Sequence, residues 1–159
     1  MGPGWRMGAW APLIAMGLAC GGGDSAGPTP TDLAGIWTAS SDAFISKDTP
    51  PYPTVDLVVD NVVTLTLNAD QTFEYRITPR TGGGAPQVLT GTYQVDGIDL
   101  MRITPGGGGW YWAWNFSLSG NSLHIWCSDA FDISVMHWGY DFNHDGLQEP
   151  ASWDLVFTR

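Results

Sequence analysis

From about residue 33 onward, apolar and polar side chains alternate in short runs, the pattern of strands that bury one face. Val63, Leu65 and Leu67 alternate with Val62, Thr64 and Thr66, and after Asn68-Ala69-Asp70-Gln71 the sides continue as Phe73, Tyr75 and Ile77 against Glu74 and Arg76. Those two runs predict a hairpin. Residues 87–95 and 98–104 predict a second, joined by Asp96-Gly97, a dipeptide suited to the positive φ of a tight turn. In residues 110–118, Trp110, Trp112, Trp114, Phe116 and Leu118 share one face. Gly120-Asn121 then turns into a strand over residues 123–127. Two more strands are predicted, over residues 134–142 with Met136, Trp138, Tyr140 and Phe142 on one face, and over 151–158 with Trp153, Leu155 and Phe157. The first strand falls in residues 32–40, around Gly35-Ile36-Trp37. Residues 47–53 carry three prolines, which cannot donate to a ladder, and read as an irregular loop. No amphipathic helix and no internal repeat is predicted.

About eight sequential strands with mostly short turns suit an all-β, up-and-down antiparallel barrel, since closure removes the edges of a sheet. A β-sandwich is the alternative, but it needs Greek-key connections that short turns do not favour. A barrel of this size either fills with side chains or holds one small ligand.

Composition agrees with that class. Of 159 residues, 14% are charged and 13% aromatic, the reverse of a disordered chain. The net charge is −10 and Lys47 is the single lysine, so a nucleic acid, which needs clustered cations, is excluded as a partner despite nine tryptophans. The acidic excess reads first as a solubility device.

Residues 1–19 read as an export signal: Arg6 gives the positive start, and residues 10–19 form an apolar run too short to span a bilayer, which needs about 20 residues. The run ends at Ala19-Cys20-Gly21, followed by Gly22-Gly23-Asp24-Ser25. This resembles the lipobox of bacterial lipoproteins, although Gly17 stands three places before the cysteine where that family usually has Leu. The resemblance implies cleavage before Cys20, acylation of Cys20 with fatty chains such as palmitate, and an anchor in the cell envelope. Gly21 in place of Asp points to the outer membrane, facing the periplasm. Without residues 1–19 the chain loses Arg6 and no acid, so its net charge becomes −11. Residues 20–32, rich in Gly, Pro and Thr, read as a flexible tether, and residues 33–159 as one domain. Cys127 is then an unpaired thiol, with a disulfide to Cys20 as the competing possibility.

The opening Leu33-Ala34-Gly35-Ile36-Trp37 is similar to the Gly-x-Trp of lipocalins and of lipocalin-like domains in bacterial lipoproteins. The stretch Leu65-Thr-Leu-Asn-Ala-Asp-Gln-Thr-Phe73 and Gly91-Thr-Tyr-Gln-Val95 look like segments of the same domains. In that family an arginine near the end of the final strand packs over the opening tryptophan, which implies that Arg159 meets Trp37 by a cation–π contact.

No nucleophile elbow, zinc-protease helix, dinucleotide loop or Walker loop occurs, and the chain is expected not to be an enzyme. His124 and Cys127, three apart on one strand, point to opposite faces and cannot share a metal locally. His137 and His144 have no ligand-spaced partner. Two features remain. Trp110, Trp112, Trp114, Phe116, Trp138 and Tyr140 supply either a solid core or the wall of a cavity for a small apolar ligand, with core the default because no polar group can be assigned inside. Asp141, Asn143 and Asp145, with Gly146, match positions 1, 3, 5 and 6 of a calcium loop. Glu149 stands where it could replace the carboxylate missing at position 12, which is Ser152. The other reading of residues 141–149 is a polar turn stabilised by Asp and Asn side chains. The expectation is therefore a monomeric, lipid-anchored barrel that binds a small apolar ligand, or a packed structural or protein-interaction barrel, with Ca²⁺ as the one cofactor in view.

Overall fold

The computed structural model describes residues 27–107, 109–133 and 137–159. The signal segment, Cys20 and the first part of the tether lie outside the described residues, as do Ser134, Val135 and Met136.

Eight antiparallel strands close into an up-and-down barrel. They are β1 (Gly35–Ser46), β3 (Asn61–Leu67), β4 (Thr72–Pro79), β5 (Gln87–Asp96), β6 (Leu100–Pro105), β7 (Trp112–Ser119), β8 (Ser122–Cys127) and β11 (Ala151–Thr158). Each pairs with the next in this series, and β11 returns to β1 to complete the cylinder. A two-residue strand, β2 (Val55–Asp56), lies along β1, and β9 (Phe131–Asp132) pairs with β10 (His137–Trp138) outside the barrel sheet. The period-two faces read from the sequence are the inward faces: Val63, Leu65 and Leu67, then Phe73, Tyr75 and Ile77, then Trp112, Trp114 and Phe116 are all buried.

One end of the cylinder, here the lower end, is plugged by a single helical turn, α1 (Pro30–Leu33). Residues 29–33 thus differ from a tether running straight into a strand. Thr29 accepts from the backbone of Asp32 while the Asp32 carboxylate accepts from the backbone of Thr29, a capping box, with proline in the first turn. Leu33 is fully buried under the barrel, and its carbonyl accepts from the Trp37 indole at 2.8 Å. Gly35 sits at φ 149°, a conformation that L residues with a side chain avoid, and this lets the chain swing from turn to strand. Arg159 packs against that glycine and lies over the Trp37 ring, its guanidinium carbon 4.3 Å from the ring centre. It also donates to the carbonyls of Ala34 (3.0 Å) and Asp32 (3.3 Å), tying the end of β11 to the plug.

The upper end is covered by the described parts of the long connection between β8 and β11, residues 128–133 and 137–150. Of the continuous strand expected over residues 134–142, the described part, residues 137–142, pairs as a strand only at His137 and Trp138, with Asp132 and Phe131. Gly139 ends the run. Its φ is 96°, and a Cβ at that position would stand 2.3 Å from the Glu149 carbonyl oxygen. The chain bends there so that Tyr140 can bridge to Glu149 and fold residues 141–149 into a closed loop.

Candidate functional site

The interior of the barrel is filled. Trp37, Trp114, Trp153, Tyr75, Tyr93, Phe116 and Phe157 are among its fully buried side chains, and Trp153 meets Tyr75 and Trp114 edge-on, each at 5.6 Å between centroids. Against that apolar filling stands one charged residue. Asp42 is the buried polar side chain of the described residues, with no exposed surface. It comes inside through a bulge. The register of β1 on β11 slips between Ala39 and Ser41, so Trp37 and Asp42, five residues apart, both face inward.

Asp42 is held by two donors, one from the adjacent strand β11 and one from β4 on its other side. The Trp153 indole donates to Oδ1 at 2.6 Å and the Tyr75 hydroxyl donates to Oδ2. Its own backbone N–H donates to Asp56 Oδ1 at 2.9 Å, and Ser41 donates to the other oxygen of Asp56 at 3.0 Å. No cation among the described residues pairs with it. Burial therefore pushes the Asp42 carboxyl up to about 6, with the Tyr75 and Trp153 hydrogen bonds pulling the other way. Burial, together with the Asp42 charge, holds the Tyr75 phenol well above its usual range, so tyrosine is the donor of this pair.

Next to Tyr75 and Trp153, and bounded by Phe131, Asp132, Ile133 and Tyr140 of the connection between β8 and β11, is a cavity of ≈ 160 Å³. Phe44, Asn61 and Gln87 form much of the rest of its wall. Phe44 stacks on Tyr140 at 4.4 Å and on Trp153 at 5.4 Å. The Asn61 amide nitrogen donates to the Leu57 carbonyl at 2.8 Å, which leaves its second N–H and its oxygen. Burial raises the Tyr140 phenol, and the charges of Asp132, Asp141 and Asp42 raise it further.

No protein-family model, curated protein or solved structure matches the chain.

The aromatic residues singled out in the sequence separate into three groups. Trp112, Trp114 and Phe116 are buried core. Trp110 and Trp138 are half exposed, with Trp110 against Trp112 and Phe131, and Trp138 edge-on to Phe131. Of the six, Tyr140 alone lines the mouth cavity. A second, more open hollow of ≈ 250 Å³ runs beside Tyr111, Trp112, Trp114, Cys127, Asp129 and Trp138, where β7 extends past its last pairing with β8. Its walls mix aromatic rings with Ser128 and Asp129, and Trp112 Nε1 has no hydrogen-bond partner among the described residues. Cys127 is a free thiol inside the barrel, while His124 faces outward and meets Asp154 at 3.0 Å.

Residues 141–149 form a compact loop. The Asp141 carboxylate accepts from the backbone of Asp145 (3.1 Å) and Gly146 (2.9 Å), and Asn143 also accepts from Asp145 (2.9 Å). Glu149 reaches back to accept from the backbone of Phe142 at 2.8 Å. Asp141, Asp145 and Glu149 each bring a carboxylate oxygen within 4.8 Å of the others. Oxygens bound to one Ca²⁺ at about 2.3–2.6 Å can be no more than about 5 Å apart, so the three fit a shared calcium ion by distance.

The sequence did not point to Asp42. A strict alternation counted from Trp37 puts position 42 outside. The usable signal was Phe44: it stands seven residues from Trp37, an odd number, so a single strand buries both only if it bulges between them.

Proposed function

We propose that this chain is a non-enzymatic, lipid-anchored protein of a bacterial cell envelope, related to the lipocalin-like barrels, whose working site is the cavity at the upper mouth. The single observation that supports the binding reading is the cavity itself: an aromatic wall, several polar groups and a buried carboxylate one layer below. Its size limits the ligand. Pockets for drug-sized molecules run to about 300–1,000 Å³, whereas a cavity of about 150 Å³ accommodates benzene. At ≈ 160 Å³ the mouth suits a compact molecule or the end group of a longer one, not a fatty chain lying along the barrel axis. The filled interior supports the same limit.

The lipid anchor rests on residues 10–25 and the lipobox resemblance. Intact mass of membrane-extracted protein is expected to show loss of residues 1–19 and acyl chains on Cys20, and an unmodified Cys20 would overturn the anchor. Binding is tested by ligand-observed NMR with small compounds against the purified chain and a Tyr140→Ala variant. Saturable binding that the variant weakens supports the reading. Its absence would favour the packed interaction barrel, with function on the loops. In either case Asp141, Asn143, Asp145 and Glu149 are the residues that would hold a structural calcium ion and tie the cover of the mouth to β11.

A further inference from the structure

The mouth cavity carries a charge pattern as well as a shape. Asp132 is part of its wall and Asp42 lies beneath its floor, joined to it through Tyr75 and Trp153. Asp56, hydrogen-bonded to the backbone of Asp42, adds a third carboxylate on the β1 side. From the loop above, Asp141 acts on Tyr140, which also lines the cavity. No lysine or arginine is among the lining residues described. The cations of neighbouring strands are engaged elsewhere: Lys47 with Asp129 at 2.9 Å, Arg76 with Glu74 at 2.8 Å, and Arg80 with the Val58 carbonyl at 3.3 Å.

We propose that the mouth cavity selects a small organic cation, an ammonium group bearing methyl or short alkyl substituents, over neutral or anionic molecules of the same shape. This rests on the reading that the cavity takes a small ligand. Three properties favour the cation. Tyr75, Tyr140 and Trp153 line the cavity with aromatic rings, and the negative face of such a ring attracts a cation within about 6 Å of its centroid. An alkylated ammonium is weakly hydrated and apolar at its rim, so it enters an aromatic enclosure without needing a hydrogen-bond partner for each contact. The surrounding carboxylates are partly withdrawn from water, where their field is screened less than on an open surface. An anion entering the same space meets charges of its own sign, against which the lining offers only neutral donors, with one of the two Asn61 N–H groups already held by Leu57. The volume of ≈ 160 Å³ matches a group of five or so heavy atoms, on the benzene scale of about 150 Å³.

The test titrates the purified full chain with three probes that share a branched trimethyl head: tetramethylammonium, neopentyl alcohol and trimethylacetate, each followed by its methyl signal in saturation-transfer NMR. Tetramethylammonium is expected to bind about tenfold more tightly than neopentyl alcohol, the size of a desolvated cation–π contact, with trimethylacetate weakest. Asp132→Asn keeps the shape of the wall and removes its charge. It is expected to weaken tetramethylammonium several-fold and leave neopentyl alcohol unchanged. If neopentyl alcohol binds as tightly as the cation, or if Asp132→Asn weakens both equally, the cavity is simply apolar and this inference falls while the small-ligand reading stands. If none of the three binds, both fall together.

Discussion

The indole nitrogen of Trp153 donates to Asp42 across 2.6 Å, joining neighbouring strands whose residues are 111 apart in sequence. The bond ties the closing seam of the barrel to its one buried charge, and its consequence is a pH dependence. An ionised carboxylate inside the barrel is costly, and burial raises its pKa from 3.8 to about 6. Between those values the folded chain holds a proton that the unfolded chain has released. Stability therefore falls as pH rises through this window and stays lower above it, by about 3 kcal/mol if Asp42 acted alone. Below the window the sign reverses, because hydrogen bonds from Thr29 and Thr72 hold Asp32 and Asp70 below their usual range, and Lys47 does the same for Asp129. The denaturation midpoint is expected to rise between pH 7 and pH 4.5 in wild type, and this rise should be lost in Asp42→Asn. A flat wild-type profile would show that Asp42 ionises without penalty.

The lower end of the barrel rests on a different contact. Trp37 is fully buried, donates to Leu33 and carries the guanidinium of Arg159 on its face. Trp37→Ala is expected to cost about 3–5 kcal/mol, as for other large-to-small changes in a core. Arg159→Ala loses the cation–π contact and two exposed hydrogen bonds to the plug, about 1–2 kcal/mol in all. The loss should shrink by about 0.5–1 kcal/mol when Trp37 is already alanine, because the two side chains touch. Fully additive losses in urea denaturation would mean that the guanidinium works only through the carbonyls of Asp32 and Ala34.

Much of this fold is legible in the alternation of residues 62–67, 72–78 and 151–158, because the period of two reports directly which side chains enter a barrel. Gly35 and Trp37 also mark the start of β1 correctly, and the Thr29-Pro30-Thr31-Asp32 spacing carried a capping signal for α1 that was readable and went unread. The mouth was not legible, for two physical reasons. Alternation from Met136 to Phe142 imitates a strand, yet Gly139 takes a positive φ that breaks it, and the packing that demands this comes from Glu149, ten residues on. Asp42 enters by a bulge, and a bulge reverses every side assigned beyond it. The candidate site thus arises where two local irregularities meet, and neither follows from periodicity.

Cys127 offers a check on how tightly the upper interior is packed. Burial, with the nearby Asp129 charge, pushes its thiol up to about 12, and its sulfur donates to the Asp129 carbonyl at 3.3 Å. Nucleophilic attack needs the thiolate, so the native protein is expected to resist a thiol reagent at pH 8 and to react within minutes in denaturant. Fast labelling of the native state would show that the hollow beside Cys127 and Trp138 admits the reagent readily.

The loop over residues 141–149 can be tested for what closes it. Its Asp and Asn side chains already accept from the backbone of residues 145 and 146, so the loop has stabilisation of its own without an ion. Asp141→Ala removes the acceptor of two of these bonds and is expected to lower the melting temperature in calcium-free buffer by several degrees, for a cost of about 1–2 kcal/mol. Calcium would add to this only in the intact loop. The three converging carboxylates repel one another, and hard oxygen donors suit Ca²⁺ above softer metals. Without a bidentate glutamate at the twelfth position, affinity belongs in the range of extracellular modules, about 10⁻⁴–10⁻³ M. Millimolar calcium is therefore expected to raise the melting temperature of wild type, since an ion bound only to the folded state stabilises it, and to leave Asp141→Ala unchanged. If calcium leaves the wild type unchanged while Asp141→Ala still lowers its stability, backbone hydrogen bonds alone hold the cover over the mouth.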